Sequence, residues 1–257
     1  MTEIIRDLKV FKELRESWPK TKTLGFVPTM GNLHNGHLSL CRKSQQENAK
    51  TCVSIFVNPK QFNQKADFIN YPKTLDADLK ILSSHKVDYC ILPSEELLYH
   101  DNYTYRISEH HKANLLEGLK RPLHFTGVLT VVMKLFNLVK PTCAYFGEKD
   151  YQQYELINGM VQAFFMDIKI KLCPTVREEK GLACSSRNSR LSIEQKTQAA
   201  TFAQIFHQVD KSVDEIILEL QDANIKVDYI EKHNNRLYAA VFIGDVRLID
   251  NYELCKS

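Results

Sequence analysis

The chain of 257 residues can form one large or two modest domains, and its formal net charge of +3 does not favour a nucleic-acid partner. Charges near the N-terminus are unlike a signal peptide, and no apolar run approaches the ~20 residues that span a bilayer, so we expect a cytoplasmic protein without a membrane partner. Seven scattered cysteines without a CxxC pair predict free thiols, not disulfides or a zinc site.

The first part of the chain predicts the order helix, strand, helix, strand. Residues 5–18 carry apolar side chains at helical spacing, and residues 23–27 form an apolar run typical of a buried strand. A turn and an amphipathic pattern follow, to about Asn48, before a second apolar and β-branched run at residues 51–57. This order predicts a parallel α/β sheet, in which ligands bind beyond the carboxyl ends of the strands.

The turn after the first predicted strand contains two histidines three residues apart. Asn35 is the predicted N-cap of the following helix, with His37 in the first turn and His34 just before it. This spacing lets both imidazoles face one side, where free backbone N–H groups and the helix dipole favour an anion such as a triphosphate. Gly36 lacks a side chain and would let a nucleotide lie against the backbone.

Polar residues also follow the second predicted strand. Pro59 ends that strand, and Gln61 offers a donor and an acceptor that suit a hydroxy acid. Further along, Asp76 and Asp78 begin a predicted helix and suit its positive end. We prefer helix capping for both carboxylates, with support of magnesium through water as the alternative.

The next segments continue the same alternation. Residues 87–93 predict a third strand, residues 128–139 a buried helix, and residues 168–172 a further strand. Between the last two, a short strand ends at Gly147 and a helix begins near Asp150. The predicted first domain therefore covers residues 1–174.

Lys149 and Asp150 lie at this strand–helix junction. The ammonium of Lys149 can place a point charge against phosphate, and Asp150 can accept a hydrogen bond from a ribose hydroxyl or support magnesium. The alternative is an exposed ion pair, which contributes little energy.

The remaining residues, 175–257, predict a small α+β domain. Residues 193–222 form one or two helices, and residues 227–231 and 237–243 form paired strands around a polar turn. Before them, the sequence Ser-Ser-Arg at 185–187 could grip a polyphosphate with two hydroxyls and a guanidinium.

Four strings in this order resemble the pantothenate synthetase (pantoate–β-alanine ligase) family, a member of the HxGH nucleotidyltransferases. They are PTMGNLHNGHLSL, FVNPKQF, AYFGEKDYQQ and GLACSSRN, and RPLHFTGV and the closing GDVRLIDN are similar to further family strings. The resemblance covers nearly the whole chain. It implies a Rossmann-like nucleotide- and pantoate-binding domain followed by a C-terminal lid domain.

The resemblance also implies roles for individual residues. The implied catalytic residues are His37, which the family assigns as a proton donor, and His34, Lys149 and Arg187. The implied ATP contacts are Pro28, Thr29, Met30, Gly31, His34, Gly36, His37, Gly147, Glu148, Lys149, Asp150, Val176, Cys184, Ser185, Ser186 and Arg187. The implied contacts to pantoate and β-alanine are Gln61, His124 and Gln153.

The sequence departs from the family pattern at two glycine-containing loops. Leu123 stands where the family has a glycine, so we expect a local backbone adjustment beside His124. Lys180 stands where an acidic residue usually precedes Gly181, which would alter the electrostatics of the lid loop.

The implied activity is an ATP-dependent ligation that forms pantothenate through pantoyl adenylate, with release of pyrophosphate and AMP. Mg²⁺ would enter with ATP, without direct protein ligands, and the partners would be the three small substrates and a second copy in a homodimer.

Three other functions stay open. A different HxGH nucleotidyltransferase would share the histidine pair but would not be expected to carry the strings around Gln61 and Gln153. A non-catalytic nucleotide-binding module is opposed by the presence of His37, Lys149 and Arg187. A nucleic-acid-binding protein is the weakest alternative, because the charge is nearly balanced.

Overall fold

The structure is a computed structural model and describes residues 1–19 and 21–254. The chain divides into two compact units, Met1–Cys173 and Pro174–Ser257. Among the described residues, no helix combines the length and the apolarity needed to cross a bilayer. Six cysteines of the described residues are buried free thiols; the seventh, Cys255, lies outside the described residues.

The first unit is built on a six-stranded sheet. In chain order its strands are β1 (Glu3–Ile5), β2 (Leu24–Thr29), β3 (Lys50–Ile55), β4 (Tyr89–Ile91), β5 (Cys143–Gly147) and β6 (Lys169–Cys173). They lie side by side in the order β1-β4-β3-β2-β5-β6, and every neighbouring pair is parallel. The predicted Rossmann-like parallel sheet is confirmed, and the strand order reverses between β2 and β5.

Among the described residues of this unit, eight helices accompany the sheet. They are α1 (Leu8–Glu16), α2 (Asn35–Glu47), α3 (Lys65–Ile69), α4 (Leu75–Ser84), α5 (Glu95–Leu98), α6 (Glu117–Lys120), α7 (His124–Val139) and α8 (Tyr151–Ala163). Short 3₁₀ turns cover Pro59–Gln61, Lys112–Asn114 and Glu148–Asp150.

The central strands alternate between two buried clusters, which explains why both faces of the sheet need helices. In β2, Phe26 belongs to the cluster that contains residues of α1, α7 and α8, whereas Val27 belongs to the cluster with residues of α2 and α4. Cys52 and Val53 divide in the same way in β3. Successive side chains point to opposite faces of a strand, so these continuous apolar runs are covered on both sides.

The start of the chain differs from the prediction. Residues 5–18 are not one helix, because Glu3–Ile5 pairs with β4 as an edge strand. The Asp7 carboxylate then accepts a hydrogen bond from the Lys9 amide, and this cap starts α1 at Leu8.

In its described part, up to residue 254, the second unit contains two helices and an antiparallel sheet, which confirms the predicted small α+β domain. The helices are α9 (Ile193–Phe206) and α10 (Val213–Asp222), and each begins with a capping box on a serine. The strands are β7 (Lys226–His233), β8 (Arg236–Ile243) and β9 (Val246–Glu253), in the order β7-β8-β9. The apolar faces of the helices and the sheet form one core, with Phe202, Ile216 and Val241 fully buried.

Candidate active site

The HxGH segment follows β2 directly and begins with a tight turn. The Thr29 hydroxyl donates to the Ser54 carbonyl over 2.8 Å and accepts from the Gly31 amide over 3.2 Å. Gly31 has a φ of +82°, and a Cβ at this position would lie 3.0 Å from the Asp78 carboxylate. The turn therefore requires glycine for its backbone conformation and for space. Of the predicted nucleotide contacts, Pro28 lies in β2 and Met30 follows it.

The helix cap is His34 and not the predicted Asn35. His34 has extended backbone angles, and its Nδ1 accepts a hydrogen bond from the Gly36 amide over 3.2 Å. Asn35 is already the first residue of α2. Because Nδ1 of His34 accepts this bond, its ring carries a proton on Nε2 in the neutral state.

The two imidazoles lie in contact on the same side of the segment, as the spacing predicts. The ring centroids of His34 and His37 are 4.0 Å apart, with an interplanar angle of 35°. Burial, followed by the charge of Lys149, lowers the pKa of His34 from 6.5 to about 4. Burial also places the pKa of His37 well below its ordinary value, with further lowering by His34 and Lys149. Both rings are therefore neutral near pH 7.

One ring nitrogen of His37 is buried. This atom, Nδ1, has no hydrogen-bond partner among the described residues. A buried polar nitrogen without a partner is costly, and a bound ligand or water would satisfy it.

Asp78 holds the histidine turn in place, which differs from the predicted helix capping. This carboxylate is 2% exposed and accepts hydrogen bonds from the Asn32 amide over 2.9 Å and the Leu33 amide over 2.8 Å. The Thr74 hydroxyl donates a third bond over 3.1 Å. Asp76 is exposed in the first turn of α4 and suits its dipole, as predicted.

The second predicted phosphate site follows β5. Gly147 ends this strand, and residues Glu148–Asp150 form a 3₁₀ turn before α8. The Lys149 ammonium lies 3.2 Å from the Asp150 carboxylate; the lysine side chain is 17% exposed and the aspartate side chain 44% exposed. Because the strand order reverses between β2 and β5, this turn and the histidine turn lie at the switch point where open parallel sheets bind ligands.

Gln61 and His124 meet at the carboxyl end of β3. Nδ1 of His124 lies 2.7 Å from the Gln61 backbone carbonyl and donates to it, and Arg121 donates to Nε2 over 3.2 Å. Both ring nitrogens of His124 thus contact protein groups, so the ring supports the Gln61 backbone. Leu123, just before this histidine, has a φ of +66°, a left-handed backbone conformation that favours glycine and is strained for leucine.

Gln153 lies half-buried in α8, one turn after the Lys149 segment. Its neighbour Gln152 is buried and accepts from the Glu117 amide, and it donates to the carbonyls of Lys112 and Leu115. Gln152 therefore ties α8 to the preceding loop, a role that the sequence did not reveal.

The predicted residues of the second unit lie on one tight loop. The Cys184 amide donates to the Val176 carbonyl over 2.9 Å. Ser185 precedes a 3₁₀ turn, Ser186–Arg190, and its hydroxyl accepts from the Arg187 amide over 3.2 Å. Ser186 is buried, whereas Ser185 and Arg187 are partly exposed.

A buried carboxylate supports this loop from β9. Arg177 donates two hydrogen bonds to Asp250, over 2.6 and 3.0 Å, and also donates to the Gly181 carbonyl over 3.0 Å. His207 contacts the same carboxylate over 3.0 Å. Burial raises the pKa of Asp250, but the bonds from His207 and Arg177 outweigh it and hold the pKa below its usual range.

Comparison with known proteins assigns the chain to a family. The family model described as pantoate-beta-alanine ligase matches residues 3–253. The relative named pantothenate synthetase in Legionella pneumophila (strain Lens) is 56% identical over 252 residues, covering 98% of this chain and 100% of the relative. That of Coxiella burnetii (strain Dugway 5J108-111) is 50% identical over 257 residues, covering 100% of this chain and 99% of the relative.

A solved structure gives the same result. The crystal structure of pantoate-beta-alanine ligase from Francisella tularensis, complexed with beta-gamma ATP and beta-alanine, matches with a TM-score of 0.95 and 45% sequence identity. The match covers 98% of each chain. HxGH alone left other nucleotidyltransferase families open, whereas these matches extend over the strings that contain Gln61 and Gln153. The chain belongs to the pantoate–β-alanine ligase family.

Proposed function

We infer that the chain joins pantoate to β-alanine in two steps that use ATP. A pantoate carboxylate oxygen attacks the α-phosphorus of ATP, which forms pantoyl adenylate and releases pyrophosphate. The β-alanine amine then attacks the acyl carbon, forms the amide of pantothenate, loses a proton and expels AMP.

One observation carries this proposal beyond family membership: the paired imidazoles and Lys149 follow the two strands that flank the switch point. The N-terminus of the 13-residue helix α2 adds its free N–H groups and the positive end of its dipole. Attack of a carboxylate on a triphosphate brings two anions together, so the site must supply hydrogen-bond donors and positive charge.

The lowered pKa values define how the histidines would act. Neutral His34 can donate from Nε2, because its Nδ1 already accepts from Gly36. We therefore propose that His34 and His37 bind the phosphates mainly as N–H donors, while Lys149 supplies the positive charge. A bound triphosphate would favour protonation of His37, so proton donation stays part of the proposal.

The other roles follow the family strings. We propose that the segments after β2 and β5 bind ATP, through the residues from Pro28 to Gly31, Gly36, and Gly147 to Asp150. Val176 and the loop Cys184–Arg187 would also contact ATP, with Arg187 as a second charge. Gln61 and Gln153 would bind pantoate, and His124 would act through the Gln61 backbone.

Magnesium would accompany ATP as part of the substrate. Asp150 is the carboxylate that fits this role, because it is 44% exposed beside Lys149. Asp78 fits less well, since backbone amides and Thr74 already use its oxygens. Bound Mg²⁺ would neutralise phosphate charge, and residues such as Asp150 would contact its water ligands.

Isotope transfer tests the chemistry directly. With both pantoate carboxylate oxygens replaced by ¹⁸O, the two steps predict one label in AMP and one in the amide carbonyl of pantothenate. Unlabelled AMP formed together with pantothenate would contradict the acyl-adenylate route.

A cytoplasmic location and a homodimer belong to the same proposal. Sedimentation equilibrium of the full chain would test the second point, with a mass of twice 29.8 kDa expected. A concentration-independent monomer would contradict it.

A further inference from the structure

A chain of buried hydrogen bonds connects Tyr99 to Gln61. The Tyr99 hydroxyl donates to Oδ1 of Asn58 over 2.7 Å, and Nδ2 of Asn58 lies 3.0 Å from Oε1 of Gln61. Tyr99 is 5% exposed and Asn58 1% exposed, so water cannot readily replace either bond.

Two backbone groups fix which atoms donate and which accept in this series of hydrogen bonds. The Lys60 amide can only donate, and it faces Oδ1 of Asn58 over 3.2 Å. The Gly127 carbonyl can only accept, and it faces Nδ2 of Asn58 over 3.2 Å. A flipped Asn58 amide would place donor against donor and acceptor against acceptor. Nδ2 therefore points at Gln61, whose Oε1 must face it as the acceptor.

The helix α7 approaches this turn closely enough to hold it. A Cβ at Gly127 would collide with the Lys60 carbonyl, so only glycine allows this approach. His124 and Arg121 both donate to the Gln61 backbone carbonyl, over 2.7 and 3.3 Å. The main chain of Gln61 is thus fixed from the side of α7.

The Tyr99 ring is held in a setting that keeps its hydroxyl a donor. Burial raises the pKa of Tyr99 above its ordinary value. Two ammonium groups also lie near the ring, with Lys60 5.7 Å and Lys134 5.1 Å from its centroid.

We propose that Tyr99 is a positioning residue that holds the Asn58 amide in the orientation defined by the Lys60 and Gly127 backbone groups, so that Nε2 of Gln61 presents its N–H groups to the hydroxy acid. Tyr99 supplies the shortest of the bonds that orient Asn58, and Asn58 transmits this orientation to Gln61. A donor at this position suits a carboxylate or hydroxyl oxygen of the substrate. This inference rests on the proposed function, in which Gln61 binds pantoate.

The test compares substitutions of two neighbouring tyrosines whose hydroxyl groups have different partners. Tyr99→Phe removes only the hydroxyl that orients Asn58, whereas Tyr103→Phe removes a neighbouring hydroxyl that bonds to Thr130. The Tyr103 ring packs against Tyr99 with centroids 5.3 Å apart, so both variants disturb the same packing. In pantoate-dependent pyrophosphate exchange, we expect Tyr99→Phe to raise the pantoate KM about tenfold, with the ATP KM unchanged.

We expect Tyr103→Phe to change neither KM. Equal pantoate KM values in the two variants, or an equal rise of both KM values in Tyr99→Phe, would overturn the inference and indicate a purely structural role.

Gln61→Glu examines the same polarity with Tyr99 in place, in case Tyr99→Phe does not fold. One carboxylate oxygen of the variant would still face Asn58, while the other would present negative charge where Nε2 donates. We expect pantoate-dependent exchange to fall more than about a hundredfold while ATP binding persists. Normal exchange in this variant would overturn the assigned polarity.

These outcomes separate the inference from the proposed function. If the wild-type protein shows no pantoate-dependent exchange, both the proposed function and the role of Tyr99 are contradicted. Wild-type exchange together with an unchanged pantoate KM in Tyr99→Phe would remove only the role of Tyr99.

Discussion

The neighbouring strands β2 and β3 are followed by turns that depend on different kinds of side chain. After β2, two imidazoles with lowered pKa values stand beside Lys149, and the buried carboxylate of Asp78 fixes their turn. After β3, the side-chain amide of Gln61 is oriented by the neutral groups of Asn58 and Tyr99.

The difference matches the two tasks of the proposed reaction. Phosphate chemistry needs donors and charge that respond to a bound anion, which titratable groups provide. Recognition of a hydroxy acid needs a fixed donor and acceptor pattern, which amides provide at any pH.

The largest effect should come from the charged side of the site. We expect Lys149→Ala and His37→Ala to lower kcat about a hundredfold or more, because each removes a group that stabilises charge developing at phosphorus. Gln61→Ala should act mainly on the pantoate KM. Steady-state kinetics of all three variants would show this contrast.

The exposed Lys12→Ala in α1 serves as a control and should keep wild-type kinetics. Normal turnover in either Lys149→Ala or His37→Ala would remove that residue from the proposed mechanism. Circular dichroism should show an intact fold in both.

The hydrogen bonds between Asp78 and the histidine turn should contribute to both stability and activity. Asp78→Asn replaces one acceptor with an amide donor that would face a backbone N–H, at a cost of about 2 kcal/mol in the free energy of unfolding. Urea denaturation would measure it, with the exposed Asp76→Asn on the same helix as the matched control. Equal stability of the two variants would show that the hydrogen bonds to Asp78 contribute little to the free energy of unfolding.

Lowering the pH should reduce the free energy of unfolding, partly because of the histidine pair. The pKa of His34 is about 4 in the folded chain and 6.5 ordinarily, so between these values the unfolded chain binds a proton that the native site rejects. Stability contributed by neutral His34 is therefore present above pH 6.5 and lost as pH falls toward 4. His37 adds to the loss in the same direction.

The variant His34→Asn sharpens this pH test, because asparagine can still cap α2 but does not titrate. We expect its melting temperature to fall less than that of the wild type on acidification through this window. His110→Asn, at an exposed histidine, should follow the wild type. An unchanged pH dependence in His34→Asn would contradict the lowered pKa.

The smallest expected effect is a change in stability from a substitution in the loop before His124. Leu123 is 71% exposed and has a φ of +66°, so glycine would relieve backbone strain and remove little buried surface. Because glycine also loses more entropy on folding, the net gain for Leu123→Gly should be below about 1 kcal/mol. A loss of stability in thermal unfolding would show that the leucine side chain makes a compensating contact.

The sequence predicted the parallel sheet and the order of its main elements, because the central strands are continuous apolar runs. It missed β1, which has only three residues and is recognisable only through its pairing with β4. It also predicted Asn35 as the cap, because asparagine is a preferred capping residue, whereas the imidazole of His34 fills that position.

The candidate site was predicted where a string carries its chemistry locally, as in the His34–His37 spacing. The contacts that hold the site escaped prediction because they join distant residues. Asp78 is 45 residues from Leu33, and Tyr99 is 41 residues from Asn58. Only the folded sheet brings each of these pairs together.

Exchange of labelled pyrophosphate into ATP, with Mg²⁺ and without β-alanine, tests the central proposal most directly. We expect exchange that depends on pantoate in the wild type and nearly disappears in Lys149→Ala. Rapid exchange without pantoate, or no exchange by the folded wild-type protein with pantoate present, would contradict it.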